Sequence, residues 1–132
     1  MKKVLAACLL IAVLLFVSCS FKSHPSEVAS LAKELTPEQQ GTDKVASEYY
    51  ELAEANFHFG NYERAGDNYM IAGDIWIKAG LDQWARDAYY SAGESYLKAA
   101  EKAKAYKKLD LFLTFKILSD QAFQRSGKTE QQ

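Results

Sequence analysis

From Val45 onward the chain repeats itself every twenty residues, and no other feature narrows its fold as much. The three copies, VASEYYELAEANFHFGNYER, AGDNYMIAGDIWIKAGLDQW and ARDAYYSAGESYLKAAEKAK, span residues 45–104. Tyr49, Tyr69 and Tyr89 fall at one position, Glu54, Asp74 and Glu94 at a second, and Asn56, Trp76 and Tyr96 at a third. Ala53, Gly73 and Gly93 are small at a fourth. A unit this short cannot bury its own apolar face, so the copies must stack on one another.

Each copy is helical by period. Ala65, Tyr69, Ala72, Trp76 and Ala79 step by four and three, and so do Ala85, Tyr89, Ala92, Tyr96, Ala99 and Ala103. Val45, Tyr49, Leu52, Asn56 and Phe59 take the same steps less cleanly. Such steps keep one stripe on one helix face. Small residues alternating with aromatics along it let helices approach closely and interlock. Gly60-Asn61 and Gly80-Leu81-Asp82 each place a glycine at a helix end and a good N-cap, Asn61 or Asp82, after it. Connections this short make neighbouring helices antiparallel.

The flanks continue the pattern. Ser26–Leu35 is a helix candidate on Val28, Leu31 and Leu35. Thr36-Pro37-Glu38 then starts a helix afresh, with an N-cap, a proline at the first position and an acid in the first turn, and Gly41 is expected to interrupt it. Leu109–Phe123 is apolar over so wide an arc that burial on more than one side is expected. The favoured expectation is a terminal helix capping the last repeat; the alternative is docking of a partner or a second copy. The fold class expected is all-α, antiparallel helical hairpins closed by a C-terminal capping helix.

Tyr49, Leu52, Ala53, Gly60, Tyr62, Ala65, Tyr69 and Ala72 resemble one tetratricopeptide repeat: aromatic, Leu-small, Gly-x-aromatic, Ala-x₃-aromatic-x₂-Ala. Asn56 departs from the family's aromatic, and Phe57 next to it can substitute. A second match is offset by one helix, on Ala72, Gly73, Trp76, Gly80, Ala85, Tyr89 and Ala92, with Asp82 where the aromatic should be. One helix cannot serve two strict repeats of about 34 residues. The chain therefore looks like a tetratricopeptide-like array with longer helices, similar to vesicle-fusion adaptors. The resemblance covers about residues 45–104 and implies a repeat-motif core of the residues just named together with Tyr96. It speaks to fold and hardly to function.

The N-terminus reads as an address. Met1-Lys2-Lys3 precedes an unbroken apolar run, Val4 to Val17, of fourteen residues. That is a signal-peptide core, shorter than the roughly 20 residues of a membrane span. It ends in Leu15-Phe16-Val17-Ser18-Cys19-Ser20, which resembles the lipobox of bacterial prolipoproteins, with Phe16 where leucine is usual. The resemblance implies cleavage before Cys19 and acyl chains on its thiol, and two or more chains anchor a protein stably. Cys8, the only other cysteine, lies inside the discarded run. By the same resemblance, Ser20 in place of aspartate implies outer-membrane sorting where the host has an outer membrane. The organisation expected is a signal peptide (1–18), a lipidated tether (19–26), the helical domain (27–126) and a polar tail (127–132).

Chemistry is sparse. Cleavage removes Lys2 and Lys3 and no acid from 16 basic and 17 acidic side chains, leaving 14 against 17, so no basic excess points to nucleic acid. His24 and His58 have no cysteine or acid at ligand spacing, and no metal or other cofactor is expected. Asp67, Asp74, Asp87 and Glu94 invite a paired-carboxylate reading, but a spacing of seven suits solvent or pairing with Lys and Arg better. Lys98, Lys102, Lys104, Lys107 and Lys108 are spread around their helix as a solvated surface. Trp84, Phe112 and Phe115 are candidate interface residues; Trp76 belongs to the core stripe. The function expected is a non-enzymatic envelope lipoprotein, held to the membrane through acyl chains on Cys19. Its repeats would dock an envelope protein or a second copy. The alternatives are a carrier of a small apolar ligand held between helices, or an accessory subunit of an envelope enzyme.

Overall fold

The computed structural model describes residues 35–128, so Cys19, the tether and the helix candidate at 26–35 fall outside it save for Leu35. The described residues form four helices and no strand: α1 (Pro37–His58), α2 (Tyr62–Lys78), α3 (Asp82–Ala105) and α4 (Leu109–Ser126). Extensive contact joins each helix only to its neighbours in the chain, α1 to α2, α2 to α3 and α3 to α4. The result is a row of antiparallel hairpins, with α1 and α4 at its ends.

α1 begins as expected and continues where a break was expected. The Thr36 hydroxyl accepts from the Gln39 N–H, and the Gln39 side chain accepts from the Thr36 N–H, closing a capping box ahead of Pro37. Gly41 sits inside the helix with open space around its Cα. A lone interior glycine costs only about 1 kcal/mol, too little to stop a helix nucleated this firmly.

One turn is built three times. Asn61, Leu81 and Lys108 each donate their N–H to the carbonyl five residues back, on Asn56, Trp76 and Ala103, each at 2.9 Å. The residue before each is left-handed: Gly60 and Gly80 at φ 74° and Lys107 at φ 56°. This is the Schellman closure of a helix end. Leu81, not Asp82, is the N-cap of α3, and neither Asn61 nor Leu81 caps through its side chain. The third turn carries no glycine, and it comes 27 residues after the second because α3 runs past the twenty-residue period.

Packing follows a small-under-ring rule. A Cβ on Gly66 would stand 2.6 Å from the Tyr96 ring, one on Gly73 2.5 Å from Tyr89, and one on Gly93 2.8 Å from Phe123. Rings from each following helix thus lie directly on the glycines of the helix before. Ala46 and Ala53 of α1 are fully buried at the equivalent positions, in clusters with Trp76 and with Tyr69. Polar bonds fix the register: Tyr96 donates to Asp67 at 2.7 Å, Tyr89 to Asp74 at 2.9 Å, and the Trp76 indole to Asp43 at 2.8 Å. The Ser119 hydroxyl donates to the Gly93 carbonyl at 2.9 Å, tying α4 down at the same close approach.

Candidate functional site

The stripe expected to form the motif core divides between interior and surface. Ala53, Ala65, Tyr69, Ala72, Trp76, Ala85, Tyr89, Ala92 and Tyr96 are buried. Tyr62 is half-buried, with its ring 5.2 Å edge-on from that of Phe57, which packs against the core cluster; Asn56 beside it is half-buried as well. Gly60 and Gly80 are turn residues and not core. Tyr49 and Leu52 are the correction: both are exposed, Leu52 to 50%.

The repeat itself gives the reason. Twenty residues on, Val45, Tyr49, Leu52, Asn56 and Phe59 become Ala65, Tyr69, Ala72, Trp76 and Ala79, the stripe with which α2 meets α1. In α1 that stripe would meet a helix before it, and none stands there among the described residues. α1 therefore presents Val45, Tyr49, Leu52 and Phe59 outward, Phe59 to 82%. Glu38, Glu48, Glu51 and Glu54 are exposed along this helix, with Lys44 as the exposed lysine.

The far end of the row is also apolar and open. α4 buries a single face, through Phe115, Ser119, Ala122, Phe123 and Ser126, so the expectation of burial on more than one side fails. Leu109, Leu111, Leu113 and Ile117 remain exposed, as does Tyr106 in the preceding turn. Of the three residues singled out as candidate interface anchors, Phe115 is buried at 7% exposure and belongs to the core. Phe112 is half-buried beneath the Lys104 ammonium, 6.0 Å from its ring centre. Trp84 is half-buried and edge-on to Trp76 at 5.6 Å, closing the core instead of leaving it.

Of the four recurring acids, Asp67, Asp74 and Asp87 tie helices together, and Glu94 is exposed. Asp74 accepts from the Tyr89 hydroxyl and pairs with Arg125, whose guanidinium also stacks 4.0 Å from the centre of the Tyr89 ring. Asp87 pairs with Lys128 at 3.0 Å. Burial, reinforced by the hydrogen bond to Asp74, pushes the Tyr89 phenol up to about 12; burial likewise raises Tyr69, and burial with Asp67 raises Tyr96. The Tyr89 and Tyr96 hydroxyls are thereby held as neutral donors to their carboxylate partners. A groove of about 510 Å³ opens along the edge of the row that carries the first and third turns, lined by Tyr62, Glu63, Arg64, Lys102, Tyr106 and Lys108 among others. Its Lys102 is engaged, donating to the Gly60 carbonyl at 3.2 Å. Among the described residues no three metal-ligating side chains converge, and no helix is long and apolar enough to cross a membrane.

The tyrosine–carboxylate bonds between helices are what sequence reasoning missed. The signal was present as the doubled Ala-Gly-Asp at 65–67 and 72–74, which puts a glycine floor and an acceptor side by side twice, seven residues apart. Comparison with known proteins adds no relative: no family model matches the chain, no curated protein matches it in sequence and no solved structure matches its fold.

Proposed function

We propose that this chain is a bacterial envelope lipoprotein, anchored by acyl chains on Cys19, whose tetratricopeptide-like array is a non-enzymatic docking module for another protein. The observation that carries the docking reading is the outer face of α1. A repeat-type stripe of Val45, Tyr49, Leu52 and Phe59 lies in solvent where its counterpart in α2 is packed. Contiguous exposed apolar faces rimmed by charge mark interaction surfaces. The anchor rests on the sequence around Cys19 and on the length of the apolar run before it. Rings seated on glycines fill the space between helices, which weighs against a small apolar ligand held there.

Two experiments test this reading. A clickable palmitate analogue should label the wild type and not Cys19→Ala, and the variant should leave the membrane fraction; equal labelling of both would remove the anchor from the proposal. Leu52→Glu with Phe59→Ser should leave the melting temperature within a few degrees of wild type and abolish cross-linking to a protein partner. Unchanged cross-linking would remove the α1 face from it.

A further inference from the structure

Among the described residues no helix covers either end of the row, and the two ends differ in charge. Beside the α1 stripe the exposed charges are Glu38, Glu48 and Glu51 against Lys44. Beside Tyr106, Leu109, Leu113 and Ile117 at the other end they are Lys104, Lys107 and Lys108 against Asp110, while Lys116 and Asp120 face each other at 4.0 Å. One end is apolar with a net acidic rim, the other apolar with a net basic rim. Because extensive contact joins only consecutive helices, these faces belong to helices at opposite ends of the row. Matched faces on opposite ends are what head-to-tail association requires.

Other occupants fit the α1 face less well. Asn61, Leu81 and Lys108, which turn the chain back into the next helix, share ψ between 58° and 81°, whereas Thr36 is extended at ψ 157°. Thr36 thus enters α1 through a capping box and not through the turn that opens α2, α3 and α4. An anionic lipid surface would meet Glu38, Glu48 and Glu51 and be repelled. A second α1 would set the same acidic rim against itself. An apolar helix with a basic rim suits the face, and α4 with its preceding turn offers one.

We propose that the outer face of α1 receives the outer face of α4 from a second copy of this chain. The inference rests on the reading of the α1 face as a protein-docking surface and names its occupant. Such a contact leaves one face of each kind free at the two ends of the pair, so copies add on as a ring or an open filament. The charged rims set orientation and rate of encounter, and the apolar stripes hold the contact.

The test uses the full chain in its own membranes, with a photo-cross-linking residue in place of Leu52. The expected product has twice the mass of the chain and joins position 52 to a peptide from 106–117, and its yield falls as salt rises. An adduct with a different protein would overturn the head-to-tail contact and leave the docking reading standing; the absence of any protein adduct would overturn both. A charge exchange supplies the second arm. Glu48→Lys with Glu51→Lys, and separately Lys104→Glu with Lys108→Glu, should each lower self-association of the detergent-purified chain by about tenfold or more. All four positions are exposed, and each variant should keep its helical circular dichroism. Mixing the two variants should restore association, because each then meets the rim its own copy lacks. A mixture no better than either variant alone overturns the proposal.

Discussion

Gly73→Ala separates helix propensity from packing, because the two make opposite predictions. Alanine is favoured over glycine in a helix interior by about 1 kcal/mol. Here the added Cβ would stand 2.5, 2.7 and 3.0 Å from three atoms of the Tyr89 ring, where carbon contacts settle near about 3.5–4.0 Å. About an ångström must be found. The ring cannot supply it, since Tyr89 is 2% exposed, its hydroxyl is bonded to Asp74 and the Arg125 guanidinium stacks on it. α2 and α3 must part instead, and overpacking of this kind costs about 1–3 kcal/mol. The net expectation is a loss of about 1 kcal/mol, within a range of about 0–2 kcal/mol, and 1 kcal/mol lowers Tm by roughly 4–8 °C in a domain of this size. Gly41→Ala is the matched control, an interior glycine of α1 with nothing within 4 Å, and it should gain about 0.5–1 kcal/mol. Denaturant melts of both variants read the difference directly. If Gly73→Ala is stabilised as much as Gly41→Ala, no ring sits on that glycine and the interlocking account is wrong.

Lys107→Gly should stabilise the protein by about 0.5–1 kcal/mol in the same melts, because Lys107 holds a left-handed conformation that its two counterparts assign to glycine; a loss would mean that its side chain contributes more than its backbone costs. Raised phenol pKa values make the fold sensitive to alkali. Tyr89 stays protonated to about 12 in the fold against 10 unfolded, so its contribution is complete below pH 10 and is lost as pH rises through 12. Tyr89→Phe should flatten the fall in stability above pH 10, and an unaltered pH profile would show that this phenol is not held neutral by the fold.

The helices were legible because spacing alone encodes them: the four-three steps of Ala65 to Ala79 and Ala85 to Ala103 mark two buried stripes. The first two turns were legible because glycine takes their left-handed position at no steric cost, and the third was not because Lys107 takes it instead. Spacing also placed Tyr49 and Leu52 on the correct face. It could not say whether that face is covered, since coverage depends on a neighbouring helix and not on the helix that carries the stripe. The same limit applied to α4, where an apolar arc read as deep burial proved half solvent-facing. Tyr96–Asp67 and Tyr89–Asp74 lie 29 and 15 residues apart, so only the antiparallel register brings them together.

Whether α4 is a cap or a detachable arm can be decided by removing it. Phe115 and Phe123 are buried to 7% and 5% exposure, and Phe123 lies on Gly93, where α3 has no side chain of its own to offer. Burying a phenylalanine contributes about 1.5–3 kcal/mol. The Ser119 bond to the Gly93 carbonyl adds about 1 kcal/mol. Arg125 adds less from its half-exposed pairing with Asp74. Removing residues 109–132 therefore withdraws about 5 kcal/mol, comparable to the entire stability of many small domains, about 5–15 kcal/mol. It also uncovers Ala99, Ala100 and Ala103, which are buried in the same cluster as Phe115. Three helices are in addition fewer than a helical-repeat array generally needs to stand alone. The truncated chain should lose its cooperative thermal transition, followed by circular dichroism, and Phe123→Ala alone should lower stability by about 3–5 kcal/mol. A truncated chain that melts cooperatively near the full-length temperature would show that α1 to α3 stand without α4. α4 would then be an arm and not the cap that its contacts with α3 describe.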